Sequence, residues 1–396
     1  MGAMERAVRR RLGFTAVAMA ITCGGVLAEA APAVGTAAAW WATATSAPTA
    51  YVANLMGNTV TPISTATNKP AAAIKVGDYP ASIAITPNGQ TAYVADAQSG
   101  TVTPISTATN KAAAAIKVGD YPVAIAVTPN GQTAYVANLA SNTVTPIAVA
   151  TSRPGKPISV GGLPAAIAIT PNGRTAYVLN EGGTVTPIST ATNQPGKAIN
   201  AGISPVRILM APSGRTVYVL DSPVLPVAGT PAASNDGSVI PIATATNKRG
   251  KAITVGLGPT GFAITPNGSA IYVTNAASGT VTPIVTATST AGQPISVGNA
   301  SPLFVAIAPN GKTAYVANVG PDFQGTVTPI ATATNKPAAA IKVGIYPVAI
   351  AITPNGRTVY VANSTSDTVT PISTATGKAG NAIPVGQDPT SIAITP

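Results

Sequence analysis

Side chains able to do chemistry are sparse in this chain, and the missing ones decide most. Histidine does not occur, which removes the commonest general base and the commonest metal ligand. The single cysteine, Cys23, lies in the N-terminal leader, so the rest of the chain has neither disulfide nor thiol chemistry. No Gly-x-Ser-x-Gly nucleophile elbow is present. Asp78, Asp120 and Asp388 share one type of loop and are the candidate acids of a channel mouth. Three carboxylates could hold a cation, but hard cations want about six or more oxygens and the other acids are scattered. The recurrent tyrosines read as core packing. These residues predict no catalytic group, no metal site and no cofactor.

The elements that must position them come from one repeat. Tyr-Val recurs at Tyr51, Tyr93, Tyr135, Tyr177, Tyr218, Tyr272, Tyr315 and Tyr360, at intervals of 42, 42, 42, 41, 54, 43 and 45 residues. The long interval holds a Pro-, Gly- and Ala-rich insertion from Ser222 to Gly237. Each unit reads as four short strands, A to D. In one unit these are Ser82-Ile83-Ala84-Ile85-Thr86, Thr91-Ala92-Tyr93-Val94-Ala95, Thr101-Val102-Thr103-Pro104-Ile105 and Ala115-Ile116-Lys117-Val118-Gly119. Thr-Pro-Asn-Gly joins A to B, with Pro fixing φ and Gly (Gly89 and its equivalents) taking the left-handed position of a hairpin. These glycines open no helix, so they are not a phosphate loop.

Four strands per 40–45 residues is the pattern of a propeller blade. The composition agrees: 8% of residues are charged, against about a quarter in typical chains, and β-branched residues, Gly and Pro dominate. The first Tyr-Val segment has no strand A before it, whereas Ser391-Ile392-Ala393-Ile394-Thr395-Pro396 is a strand A with nothing after it. Pairing these two would close a ring and remove its open edges. The expected fold is an all-β, closed propeller of eight four-stranded antiparallel blades. Seven is the alternative if the divergent unit around residues 199–256 is not a blade. Strand C carries Pro in every unit, at Pro62, Pro104, Pro146, Pro187, Pro241, Pro283, Pro329 and Pro371. Proline cannot donate a ladder bond, so a bulge or a broken B–C or C–D pairing is expected at that level.

Arg6, Arg9, Arg10 and Arg11 precede an apolar run from Leu12 to Ala28, followed by Ala28-Glu29-Ala30. This reads as a cleaved secretory signal, by the general or the twin-arginine route; the run is short of the roughly 20 residues of a membrane span. The domains expected are a signal over 1–30, an Ala-rich linker over 31–48 and the propeller over 49–396. The protein is therefore expected to be secreted or held at the cell surface, with no membrane span in its mature part.

The motifs Tyr-Val-Ala-Asn, Thr-Pro-Asn-Gly, Thr-Ala-Thr-Asn and Val-Gly-x-x-Pro resemble those of the YVTN-type β-propeller repeat family of archaeal surface-layer proteins and secreted bacterial propellers. The resemblance covers residues 49–396. It departs where Asn88 and its equivalents stand for the usual Asp, where Ser64, Ser106 or Ala148 ends strand C, and in the strand C prolines. It implies the fold and little about function, because one fold hosts many functions.

Charge is sorted along the repeat. Past residue 30 there are 18 basic and 9 acidic residues. All nine acids are assigned to B–C or D–A loops, on one face of the disc. Fourteen of the basic residues are assigned to A–B or C–D turns on the other, including Lys69, Lys111, Arg174, Arg215, Lys248, Arg249, Lys312, Lys336, Arg357 and Lys378. Such a face could dock on anionic wall polymer, a membrane surface or another protein. Nucleic acid fits less well, since stacking aromatics are few. The expected function is an exported, non-catalytic binding scaffold. The alternative is an enzyme of the lactonase or quinoprotein-dehydrogenase-like class, with its site at the channel mouth.

Overall fold

A computed structural model describes residues 47–223 and 236–396. The expected leader and nearly all of the linker, with Cys23 and the arginines before it, lie outside the described residues, as does most of the Ser222 to Gly237 insertion.

Eight antiparallel sheets form a closed ring, so the chain is an eight-bladed β-propeller. Blade 2 shows the plan: strand A is Pro80–Ile85, B is Thr91–Asp96, C is Thr101–Ser106, and D is split into Lys111–Ala112 and Ile116–Lys117. Blades 3, 4, 5, 6, 7 and 8 begin at Pro122, Pro164, Pro205, Pro259, Ser301 and Pro347. The divergent unit is a true blade, blade 5, with strands Pro205–Met210, Thr216–Asp221, Asp236–Ala243, Lys248–Arg249 and Ile253–Leu257. Blade 1 takes B from Thr49–Asn54 and A from Pro389–Ile394, with Val52 opposite Ile392. Thr49 and Thr395 lock the seam, through Thr49 N–H to Thr395 Oγ1 at 2.9 Å and Thr395 N–H to the Thr49 carbonyl at 3.0 Å. Strand A is innermost, touching the A strands of its neighbours around the axis.

The proline in strand C breaks C–D and leaves B–C intact. Tyr51 pairs with Pro62 in unbroken register. Strand D meets C in two short stretches, Ser64–Lys69 with Ile63–Pro70 and Val60–Ile74 with Thr59–Lys75, and Ala71 N–H reaches the Pro62 carbonyl at 2.8 Å between them. The missing donor faces D, the outer edge, where a sheet tolerates it best. The A–B turn is held by its own side chains: Gly89, at φ +70°, donates to the Thr86 carbonyl, and Asn88 Oδ1 accepts from Gln90 N–H at 3.1 Å.

Each junction between blades carries its own apolar cluster. Tyr51, Ala53, Val60 and Ile74 of blade 1, for example, pack on Ile83, Ala92, Val94 and Ile105 of blade 2. The tyrosine is buried in this cluster, but its hydroxyl crosses to the next blade. Tyr51 donates to Asn110 Oδ1 at 2.6 Å, Tyr135 to Asn193 and Tyr177 to Asn247 at 2.7 Å each. Tyr272 reaches Asn335, and Tyr360 reaches Asn68 across the seam. The asparagine sits at positive φ in the Thr-Ala-Thr-Asn turn, so two separate sequence motifs form one bolt between blades. Burial pushes the Tyr51 hydroxyl up to about 12, so it stays a donor.

The junction of blades 7 and 8 lacks this bolt because Gly377, φ +65°, replaces the asparagine that would receive Tyr315. A Cβ there meets nothing within 4 Å. Gly377→Asn should therefore stabilise the fold by about 1 kcal/mol, the net value of a typical hydrogen bond. Thermal unfolding of Gly377→Asn, alone and with Tyr315→Phe, checks this; the gain should vanish in the double variant.

Candidate functional site

The two faces of the disc differ in kind. A–B and C–D turns are bonded together on one face: Thr107 donates its hydroxyl to the Gly89 carbonyl at 2.6 Å. The B–C and D–A loops form the other face, around the opposite end of the channel. The ten expected docking residues, from Lys69 to Lys378, are all exposed on the turn face. Lys156, Lys197 and Lys251, assigned to turns by their spacing, fall instead in the gap of the split D strand, at the rim.

The acids need two corrections. Asp96, Asp221 and Asp236 are not loop residues; the first two end strand B and are buried, 0% and 7% exposed, and Asp236 opens strand C of blade 5. Nor are Asp78, Asp120 and Asp388 brought together as a cation site: among the described residues no three His, Cys, Asp or Glu side chains cluster. Asp78 and Asp120 are exposed, and Asn58 Nδ2 donates to Asp78 Oδ1 at 2.9 Å. Asp388 stands one place later in its loop, in a left-handed conformation at φ +54°. Burial raises its pKa, and nearby Asp367 adds to the rise.

The last residue of strand B has a common structural task. Asn54, Asn138, Asn180, Asn275, Asn318 and Asn363 are wholly buried there. Asn138 Nδ2 donates to Thr143 Oγ1 at 3.1 Å and Thr145 Oγ1 at 2.9 Å. The Val-Gly of the D–A loop packs against this amide; a Cβ on Gly119 would lie 2.8 Å from Asn138 Cβ. Blade 5 solves the problem differently. Ile240 replaces the strand C threonine, and Asp221 Oδ1 accepts from Ile203 and Ser204 N–H at 3.0 and 2.7 Å.

Strain gathers on the loop face. Tyr79, Tyr121, Leu163 and Tyr346 hold φ of +59°, +56°, +57° and +56°, each directly before a proline, where blade 6 uses Gly258. Left-handed backbone costs an ordinary residue about 1–2 kcal/mol and is disfavoured further before proline. Loop side chains hold it in place: Asn58 Oδ1 accepts from Tyr79 N–H at 3.0 Å and Asn142 Oδ1 from Leu163 N–H at 2.8 Å.

The repeat departs from its pattern at one place, on the loop-face side of strand A. The third residue of that strand is small in five blades: Ser82, Ala124, Ala166, Ala349 and Ser391. In blades 5, 6 and 7 the equivalent places hold Arg207, Gly261 and Phe304. Arg207 Nε donates to the Thr260 carbonyl of blade 6 at 3.1 Å. Its guanidinium then passes blade 6 and lies over the Phe304 ring of blade 7, 5.4 Å from the centroid. Gly261 lies between them and lets blades 6 and 7 pack closely, since a Cβ there would be 2.7 Å from the Leu303 carbonyl. Five blades fold with small residues, so packing of the ring does not call for this trio. A cleft of about 400 Å³ opens on the same arc, between the loops of blades 6 and 7, lined by Ser278, Asn299 and Ser301 among others. Exposed Leu163 and Ile203 lie on the D–A loops into blades 4 and 5, and exposed Leu257 ends strand D of blade 5. None of the three residues stands out in the sequence by its type alone. The signal that finds the trio is the repeat itself, read column by column.

Comparison with known proteins bears on the fold. No family model matches the sequence, and no curated protein does either. Among solved structures, hydrazine synthase of Kuenenia stuttgartiensis matches with a TM-score of 0.60 at 24% identity, over 75% of this chain and 96% of that one. Dihydro-heme d1 dehydrogenase NirN in complex with DHE matches at 0.71 and 15%, over 87% and 74%. A functionally unknown protein from Desulfotomaculum acetoxidans DSM 771 matches at 0.57 and 14%, over 87% and 98%. The propeller architecture is shared with all three. The YVTN-type resemblance gains no support finer than that. The expectation of a non-catalytic scaffold, and with it of no enzyme, is corrected by this comparison: two of the three neighbours are enzymes. At these identities the likeness carries the fold across and not their activities.

Proposed function

We propose that this chain is an exported propeller enzyme of the quinoprotein-dehydrogenase-like class, with its site at the channel mouth on the loop face. The observation that supports it is the Arg207, Gly261 and Phe304 arc. A guanidinium is a forked donor suited to a carboxylate, and an aromatic face beside it suits a planar ring. The ligand class is thus a small, planar, acidic molecule held where Arg207 and Phe304 meet, with the polar cleft of blades 6 and 7 on the same arc. Polar groups converging on a partly apolar mouth are the usual form of such a site.

The lactonase half of the alternative has less support, because no three acidic, His or Cys side chains cluster to hold a metal among the described residues. The described residues hold neither histidine nor cysteine, so they do not fit a haem held by imidazole or thiolate. An anionic quinone does fit: Arg207 would hold a carboxylate of it and Phe304 would flank its ring. Once bound, the quinone would supply the electron acceptor that no side chain here can be.

The test is calorimetric titration of the full chain with pyrroloquinoline quinone, a planar tricarboxylate. Arg207→Gln should weaken binding by about 10- to 100-fold, the cost of a charge-assisted hydrogen bond, with the melting temperature little changed. No binding to the unaltered chain, or equal binding by the variant, would refute the assignment.

A further inference from the structure

The turn face carries a feature that the channel mouth does not use. Seven of the eight blades place exposed Lys or Arg there, eleven in all, and blade 6 alone has none. Blade 5 is densest, with Arg215, Lys248 and Arg249 together. No described acid lies on this face, because every one sits in, or at the strand end beside, the B–C and D–A loops. The field over the disc therefore has one sign on this side. The charges stand in the A–B and C–D turns of successive blades, so they are spread around the disc as a broad array, which suits a partner that is itself charged over a wide surface. Among the described residues only one large apolar side chain is exposed here, Val285, so attraction to this face is electrostatic.

A second observation concerns the chain path. The described chain begins at Ala47 on this same face, where Thr65 donates its hydroxyl to the Pro48 carbonyl at 2.6 Å.

We propose that the turn face docks on an anionic lipid bilayer and leaves the loop face, with its channel mouth, turned toward solvent. This is independent of the enzymatic reading: the surface could be right with the mouth inert, or the reverse. Each Lys or Arg near an anionic membrane contributes about fivefold in affinity, and the contribution fades within a Debye length.

The test is co-sedimentation of the full chain with vesicles of phosphatidylcholine, pure or with about a third phosphatidylglycerol, across a salt series. Expected is binding to the anionic vesicles that weakens steeply with salt. Arg215→Gln, Lys248→Gln and Arg249→Gln combined should cost on the order of 100-fold. These side chains are exposed in turns, and an unchanged melting temperature will show that the variant folds. Equal binding to neutral vesicles, or no loss in the triple variant, would overturn the proposal. So would retention by soluble polyphosphate with no vesicle binding, which would make the partner a polymer.

Discussion

Removal of residues 387–396 is expected to abolish the closed monomer. Those residues supply strand A of blade 1, and among the described strands no other pairs with the inner edge of Thr49–Asn54. The loss exposes Ala50 and Val52, wholly buried in the intact ring, and strips Ile392 and Ile394 from the junction of blades 8 and 1. A large buried aliphatic side chain is worth about 1.5–3 kcal/mol. With the ladder bonds added, the loss is a large part of the roughly 5–15 kcal/mol that separates folded from unfolded domains. The open array also presents an unpaired strand edge, an invitation to aggregate. Size-exclusion chromatography and dye binding to exposed apolar surface should show oligomers in place of a monomer. A synthetic peptide of residues 387–396 added to the truncated chain should restore the sharp melt, since an extended peptide can complete a sheet edge. A truncated chain that melts within a degree of the intact one would show that the seam contributes nothing.

Asp96→Asn is expected to stabilise the protein at neutral pH by as much as about 3 kcal/mol. Asp96 occupies the place where six other blades bury an asparagine, and it is wholly inaccessible. Burial pushes its pKa up to about 6 from 3.8, against the opposing effect of the Thr103 and Thr101 hydroxyls, at 2.6 and 3.2 Å. The folded state thus holds the proton more tightly than the unfolded chain. Its contribution to stability is full below pH 3.8 and is lost as pH rises through about 6. Asparagine has no charge to desolvate and can donate to both threonines, as Asn138 does. Chemical denaturation at pH 4 and pH 7.5 should show a gain at the higher pH that shrinks at the lower. The same gain at both would mean that ionisation of Asp96 is not the source.

Much of this was written in the repeat. Thr-Pro-Asn-Gly announces its turn because φ at Pro and Gly is a local property. The strand C proline announces a broken ladder because a missing N–H is local too. Tyr-Val and Thr-Ala-Thr-Asn were each visible, but their union as a bolt was not. Their partners belong to successive blades, about 59 residues apart for Tyr51 and Asn110, and only the stacking angle brings them together. Asp96 was misplaced for a related reason. An acid at a strand end looks like a loop residue until the neighbouring Gly77 closes over it. Arg207 and Phe304 were hardest, because each is an ordinary residue in its own strand and the meaning lies in the empty place between them at Gly261.

The seam between Thr49–Asn54 and Pro389–Ile394 joins residues separated by almost the whole described chain. During synthesis the first strand must wait, with one side bare, until the last strand has left the ribosome. Contacts this distant in sequence form slowly, and chains that expose strand edges meanwhile are prone to misassociate. The rate at which the ring shuts, more than the strength of any blade, then sets how much of the newly made protein matures.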